Sequence, residues 1–183
     1  MLDIHSAEAL SLAKRAIDHD PTNVEAYLAL GGMYSRAGWF AEAEQAVRTA
    51  VDLSPRAELP ASLLASVLMY RGDPVAALAE LEREPGERWR EALRPQILDA
   101  LGRSHEADSA LAAFEAKFGN IAPYSIAAVY ARRKNPNRAF DWLGRAYRQR
   151  EPLLLYVGTD LDFSNLKPDP RYKALLRKLN LPE

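Results

Sequence analysis

The chain is expected to be all-α, built from repeated pairs of helices, and three observations carry that expectation. The first is a fixed offset: Ala9, Ala43 and Ala77 are spaced by 34 residues, as are Ala16 and Ala50, Pro21 and Pro55, and Gly38 and Gly72. A shared offset among three residue types points to a repeating unit rather than to composition. The second is an apolar period of three to four residues, seen in Leu30 and Tyr34 and again in Ala43, Val47 and Ala50, which puts each set on one helix face. The third is punctuation, with glycine able to end one helix at positive φ and proline preventing the next from running on.

The clearest unit is expected over 24–57, in the pattern Tyr27-x2-Leu30-Gly31-x2-Tyr34, then Ala43-x3-Val47, Ala50 and Pro55. Small Gly31 is expected to admit a neighbouring helix closely, Gly38 to end the first helix and Thr22 or Asn23 to cap it at its start. This pattern resembles the tetratricopeptide repeat (TPR) family. The resemblance implies a right-handed superhelical solenoid of antiparallel helix pairs, in which the first helix of each unit lines a concave surface that binds peptides or helices of other proteins.

The remaining elements follow from the same reading. Residues 1–23 read as a partial repeat, the second helix of a unit whose first is missing, so the chain is expected to be a piece of a longer one. Residues 58–87 keep Leu64, Leu68, Gly72 and Ala77, with Pro85 and Gly86 cutting the second helix short. Intervals of 30 from Ala77 to Ala107 and 32 from Ala107 to Ala139 place less regular units at 88–119 and 120–152. Pro95 falls inside an apolar period running from Trp89 to Leu101, so a kinked or split helix is expected there. In the last unit Tyr130, Leu143, Ala146 and Tyr147 are expected on inner faces.

A capping segment, 153–183, closes the array, whose last unit would otherwise expose an apolar face. Leu153 to Val157 are expected to be buried helix and Asp160 to Pro168 loop, with Leu161, Phe163 and Leu166 tucked against the last repeat. Asp169 is expected to cap a helix begun by Pro170, with Tyr172, Leu175, Leu176 and Leu179 as its apolar stripe. The stretch from Asp169 to Pro182 resembles the ending of TPR regions in bacterial multidomain signalling proteins, with Asn180 where glycine is common.

Composition removes several classes of chemistry. The 183 residues carry 24 basic and 25 acidic side chains, a net charge of −1, so no whole-chain field draws in nucleic acid. Nucleic acid is therefore not an expected partner. Seven of the basic residues crowd into Arg132 to Arg150 against Asp141, and a solvated outer face is the expected reading of that run. There is no cysteine, which excludes disulfides, thiol nucleophiles and thiolate metal sites and fits a cytoplasmic protein. No apolar run approaches the length of a membrane span. The start, from Met1 to His5, has no basic region leading into an apolar run.

No motif for catalysis, cofactor or metal binding stands out. His5, His19 and His105 form no ligand pair, His105 with Glu106 and Asp108 sits where helix-start acids belong, and Asp160 with Asp162 lacks a calcium-loop pattern. Gly31-Gly32 lacks the strand and lysine of a phosphate loop. A non-enzymatic binding module is expected, with no cofactor and no metal.

Carrying the family's phase onto the chain nominates Glu25, Leu28, Ala29, Gly32, Ser35 and Arg36 for the concave surface of the first full unit. Ser62, Leu63, Ser66, Met69 and Tyr70 follow in the second, and Ala92, Gln96, Tyr124 and Ala128 in the later ones. These positions lack the lysine, arginine and asparagine set by which some members of the family grip a terminal carboxylate. An amphipathic or extended protein segment is the expected ligand. The alternative is a self-associating scaffold, in which the half-repeat offers Ala9, Leu12, Ala13 and Ala16 to another copy.

Overall fold

A computed structural model describes residues 4–182, with side chains from 8 onward. Met1, Leu2 and Asp3 and the side chains of Ile4 and His5, read above for a targeting signal and for metal ligands, lie outside the described residues. Among those described there are ten α-helices and two short 3-10 helices and no strand. The chain divides into two compact units, Met1–Arg103 and Ser104–Glu183.

The first unit holds α1 (Ile4–His19), α2 (Val24–Arg36), α3 (Phe40–Leu53), α4 (Pro60–Tyr70), α5 (Pro74–Leu81) and α6 (Glu87–Ala100). Consecutive helices pack on each other, and α4 also touches α2 and α6. Leu28, Val47, Val51, Leu64, Leu68, Met69, Leu81 and Ile97 form its main core, while Ala13, Leu30 and Ala46 form a smaller one where α1 joins. Gly31 fulfils its expected part: a Cβ there would lie 2.3 Å from Val47 Cγ2, so α2 and α3 meet only because the side chain is absent. Asn23, rather than Thr22, caps α2 by accepting from the Ala26 amide at 2.9 Å. Thr22 instead donates to Asp20.

The second unit holds α7 (Ser104–Phe118), α8 (Pro123–Arg132), α9 (Pro136–Arg148), two 3-10 helices at Pro152–Tyr156 and Leu161–Leu166, and α10 (Pro170–Lys178). Helix α8 packs on α7, α9 and the second 3-10 helix. Phe114, Ile126, Leu143, Val157 and Phe163 are fully buried in this unit. Asp169 caps α10 through the Arg171 amide at 2.9 Å, as expected.

One turn recurs six times. The residue after each helix cap takes positive φ, and the amide beyond it reaches back to a carbonyl five residues earlier, closing the helix end. The left-handed residues are Gly38, Gly72 and Gly102, then Lys134, Arg150 and Asn180. The closing bonds run from Trp39, Asp73, Arg103, Asn135, Glu151 and Leu181 at 2.9–3.0 Å. Glycine marks three of these turns in the sequence and Asn180 a fourth, whereas Lys134 and Arg150 give no such signal.

Three readings are corrected and a fourth is narrowed. One helix, α6, runs through Pro95, which is buried inside it, so of the expected kink or split the split is removed. Leu153 to Val157 are not a buried α-helix. They belong to a 3-10 turn in which Leu154 and Val157, three apart, are buried while Leu155 and Tyr156 are exposed. The stretch expected as loop contains the second 3-10 helix, whose Phe163 and Leu166 are buried by the same three-residue spacing. Tyr147 is exposed on α9 rather than on an inner face.

Candidate functional site

The expected concave residues separate into two groups once their surroundings are known. Glu25 and Ala29 are exposed on α2, and Gly32, Ser35 and Arg36 beside them are half-buried. Leu63, Ser66 and Tyr70 on α4 and Ala92 on α6 are also half-buried. A Cβ on Gly32 would meet only the Arg36 guanidinium, at 3.3 Å, so that guanidinium lies along the face and no neighbouring helix requires this glycine. Ser35 donates its hydroxyl to the Gly31 carbonyl at 2.9 Å, and the Tyr70 ring stacks on Phe40 at 5.6 Å.

The other nominated residues are buried. Leu28 and Met69 belong to the core of the first unit. Gln96 is buried as well, and its side-chain oxygen has no hydrogen-bond partner. Ser62 is held by a carboxylate that no local motif indicates: Glu84, itself buried, accepts from the amides of Leu59, Ser62 and Gly86 at 2.9–3.1 Å. The Leu59 and Ser62 amides are orphan donors at the start of α4, whose own cap residue Leu59 offers no side-chain bond and sits at φ 92°, and Gly86 is the cap residue of α6. Glu151 serves α8 in the same way, accepting from the Tyr124 amide at 2.9 Å.

On α8 the inner face is closed by the chain itself. Tyr124 meets Phe163 of the second 3-10 helix edge-on, with ring centroids 5.1 Å apart, and its hydroxyl donates to Asp160 at 2.7 Å. Arg132 pairs with Asp162 at 3.2 Å, and the Asn165 amide donates to the Ala131 carbonyl. Burial and the neighbouring Asp160 push the Tyr124 hydroxyl far above the usual tyrosine range. Tyr172 donates to the Val157 carbonyl at 2.7 Å and is pushed up to about 12, chiefly by burial. Tyr124 and Ala128 are therefore interior residues here, not the floor of an open groove.

The two features suspected of other chemistry resolve into internal contacts. Asp160 accepts from the Asp162 amide and the Tyr124 hydroxyl, and Asp162 faces Arg132, so both carboxylates serve the packing of the 3-10 segment. No cluster of three metal-ligating side chains occurs among the described residues. In the basic run, Arg133 pairs with Asp108 at 2.8 Å, Arg138 with Glu115 at 3.2 Å, and Arg145 lies over the Trp142 ring at 4.3 Å. A crease of about 340 Å³ along α9 is lined by Arg138, Trp142, Arg145 and Arg148 and other residues of that one helix. No helix among the described residues is long and apolar enough to cross a membrane.

Comparison with known proteins agrees with the geometry. Residues 6–67 match the tetratricopeptide repeat family model. No curated protein matches the chain. Among solved structures, MamA is similar at 20% identity and a TM-score of 0.57, covering 83% of this chain and 97% of that one. A second MamA structure is similar at 21% identity and a TM-score of 0.55, covering 83% and 86%. YrrB, described as a TPR protein with an unusual peptide-binding site, is similar at 21% identity and a TM-score of 0.52, covering 97% of this chain and 84% of its own. The chain therefore has the fold of tetratricopeptide-repeat proteins, with residues 6–67 carrying the sequence signature of that family.

Proposed function

We propose that the chain is a non-enzymatic protein-binding module, and that the inner face of its first unit takes a peptide or short helix of a partner. The observation that carries this is the incomplete burial of a run of small residues on α2 and α4. Ala29 is exposed and Gly32 and Ser66 are half-buried, with the larger edges Arg36 and Tyr70 one turn further along α2 and α4. Small side chains let a ligand backbone approach closely, and the edges supply charge and ring surface. The peptide-binding site named for YrrB supports the same reading by likeness of fold. The setting we infer is a bacterial regulatory or signalling assembly in the cytoplasm, supported by the resemblance of the segment from Asp169 to Pro182 to the endings of such proteins' repeat regions.

Panning a random peptide library against the full chain tests the proposal. Selected peptides should perturb the amide resonances of Ala29, Gly32, Ser66 and Tyr70, and Gly32→Leu should weaken them about tenfold, because it fills the face without touching the core. Binding that leaves these resonances unmoved would contradict it. Self-association through α1 is a second reading, favoured by Leu12, which is 54% exposed. Its face is narrower than the sequence suggests, because Ala13 is buried against α2 and α3. A persistent monomer in light scattering over a concentration series would remove that reading.

A further inference from the structure

The two units carry opposite charge, although the chain as a whole is nearly neutral. Residues 1–103 hold 11 basic and 16 acidic side chains and residues 104–183 hold 13 basic and 9 acidic, a net −5 against a net +4. The inner face of α8 in the second unit is filled by the chain's own 3-10 turn, and the basic excess gathers on and beside the exposed side of α9.

Helix α9 buries Ala139, Trp142, Leu143 and Ala146 and turns Arg138, Asp141, Arg145 and Arg148 outward, three and four residues apart and hence on one stripe. Arg138 is engaged by Glu115 and the Tyr130 hydroxyl. No acid among the described residues pairs with Arg145 or Arg148. Arg145 lies over the Trp142 ring at 4.3 Å, a contact made by the face of the guanidinium that leaves the N–H donors at its edge available. Arg148 lies back along Gly144, where a Cβ would sit 3.5 Å from its Nη1. Both arginines line the crease of about 340 Å³, together with Asp141. Two guanidinium groups held in this way lose little further freedom when they meet a carboxylate.

We infer that the exposed stripe of α9 docks a helix of a partner protein that carries two acidic residues one turn apart and a basic residue one turn further on, the acids meeting Arg148 and Arg145 and the base meeting Asp141. Asp141 decides the class of partner. A phosphate backbone or an anionic lipid surface would bring only negative charge against its carboxylate, and with Arg138 engaged by Glu115 the two remaining arginines are too few for the many phosphate contacts on which polynucleotide affinity is built. A helix presents both signs at fixed spacing, because residues three and four apart share a face. Acids toward its N-terminus and the base toward its C-terminus suit the helix dipole, which sets the partner antiparallel to α9. This contact is separate from the peptide site proposed on α2 and α4 and does not depend on it.

The probe is an alanine-based helical peptide with two glutamates one turn apart and a lysine one turn further, titrated at low salt into the full, isotope-labelled chain. The expected result is perturbation of the amides of Asp141, Gly144, Arg145 and Arg148. Arg148 is exposed, so Arg148→Glu leaves the fold intact, and it should weaken binding about fivefold or more. A peptide with lysine in place of the glutamate that faces residue 148 should regain affinity for that variant. A peptide of the same composition with the charges in scrambled order should bind at least about fivefold more weakly on the native chain. Equal binding of the scrambled peptide would show a solvated cationic surface without register and would overturn the inference. So would absence of binding, or shifts confined to residues outside α9. A single-stranded oligonucleotide or phosphatidylserine vesicles that shift the same amides more strongly than the peptide at the same salt would overturn it as well. The readout lies on α9, so none of these outcomes alters the reading of the face on α2 and α4.

Discussion

Glu84 is the residue on which most depends locally. Its carboxylate satisfies two amides at the start of α4, from 22 and 25 residues away, and the amide of Gly86, the cap residue of α6. Glu84→Ala leaves those donors buried and unpaired, at a cost of about 3 kcal/mol, readable in a urea melt. Loss of less than about 0.5 kcal/mol would show that water replaces the carboxylate there. The adjacent glycines of α2 give an opposed pair. Gly31→Ala drives a methyl into fully buried Val47 and should destabilise by about 2 kcal/mol, whereas Gly32→Ala meets only a flexible guanidinium and should be neutral or stabilising. Lys134 holds a left-handed turn that Gly38 and Gly72 occupy without strain, so Lys134→Gly should raise stability by about 0.5–1 kcal/mol. The glycine turns and Asn23 are legible in the sequence because they act within a few residues. Glu84 and Glu151 are not, because a carboxylate that caps a helix from more than 20 residues away has no local pattern.

Among the elements, the 3-10 helix Leu161–Leu166 closes the inner face of α8 within the second unit. Phe163 is fully buried, and Phe163→Ala should destabilise the second unit by about 3–5 kcal/mol. The tyrosines on either side of this segment give a pH signature. Tyr124 and Tyr172 are both held protonated above the range of a free tyrosine, about 10. A folded-state pKa raised in this way contributes stability that is complete below pH 10 and is lost as pH rises through the folded value. For Tyr172 that window is from about 10 to about 12. Tyrosinate absorbance should show a late step that Tyr172→Phe diminishes. The segment escaped the sequence reading because a 3-10 helix buries positions three apart in so short a run that Phe163 and Leu166 look the same in a loop. The α-helices were legible through their longer periods and their caps, and α6 is the exception in which packing overrides the penalty at Pro95.

At the scale of the whole chain, the two units present their first helices differently. In the first unit the inner residues of α2 and α4 are partly open, and in the second the inner face of α8 is filled by the chain's own 3-10 turn. The repeat period identified the fold and the helix faces, but burial of Leu28, Met69, Tyr124 and Ala128 depends on what packs over them, which the period does not encode. A binding module of this design should therefore engage a partner through its first unit. Mapping amide shifts of the full chain with a library-selected peptide tests this most directly. Perturbations should cluster at Ala29, Gly32, Ser66 and Tyr70, with binding about tenfold weaker in Gly32→Leu; perturbations centred on Tyr124 and Ala128 would contradict it.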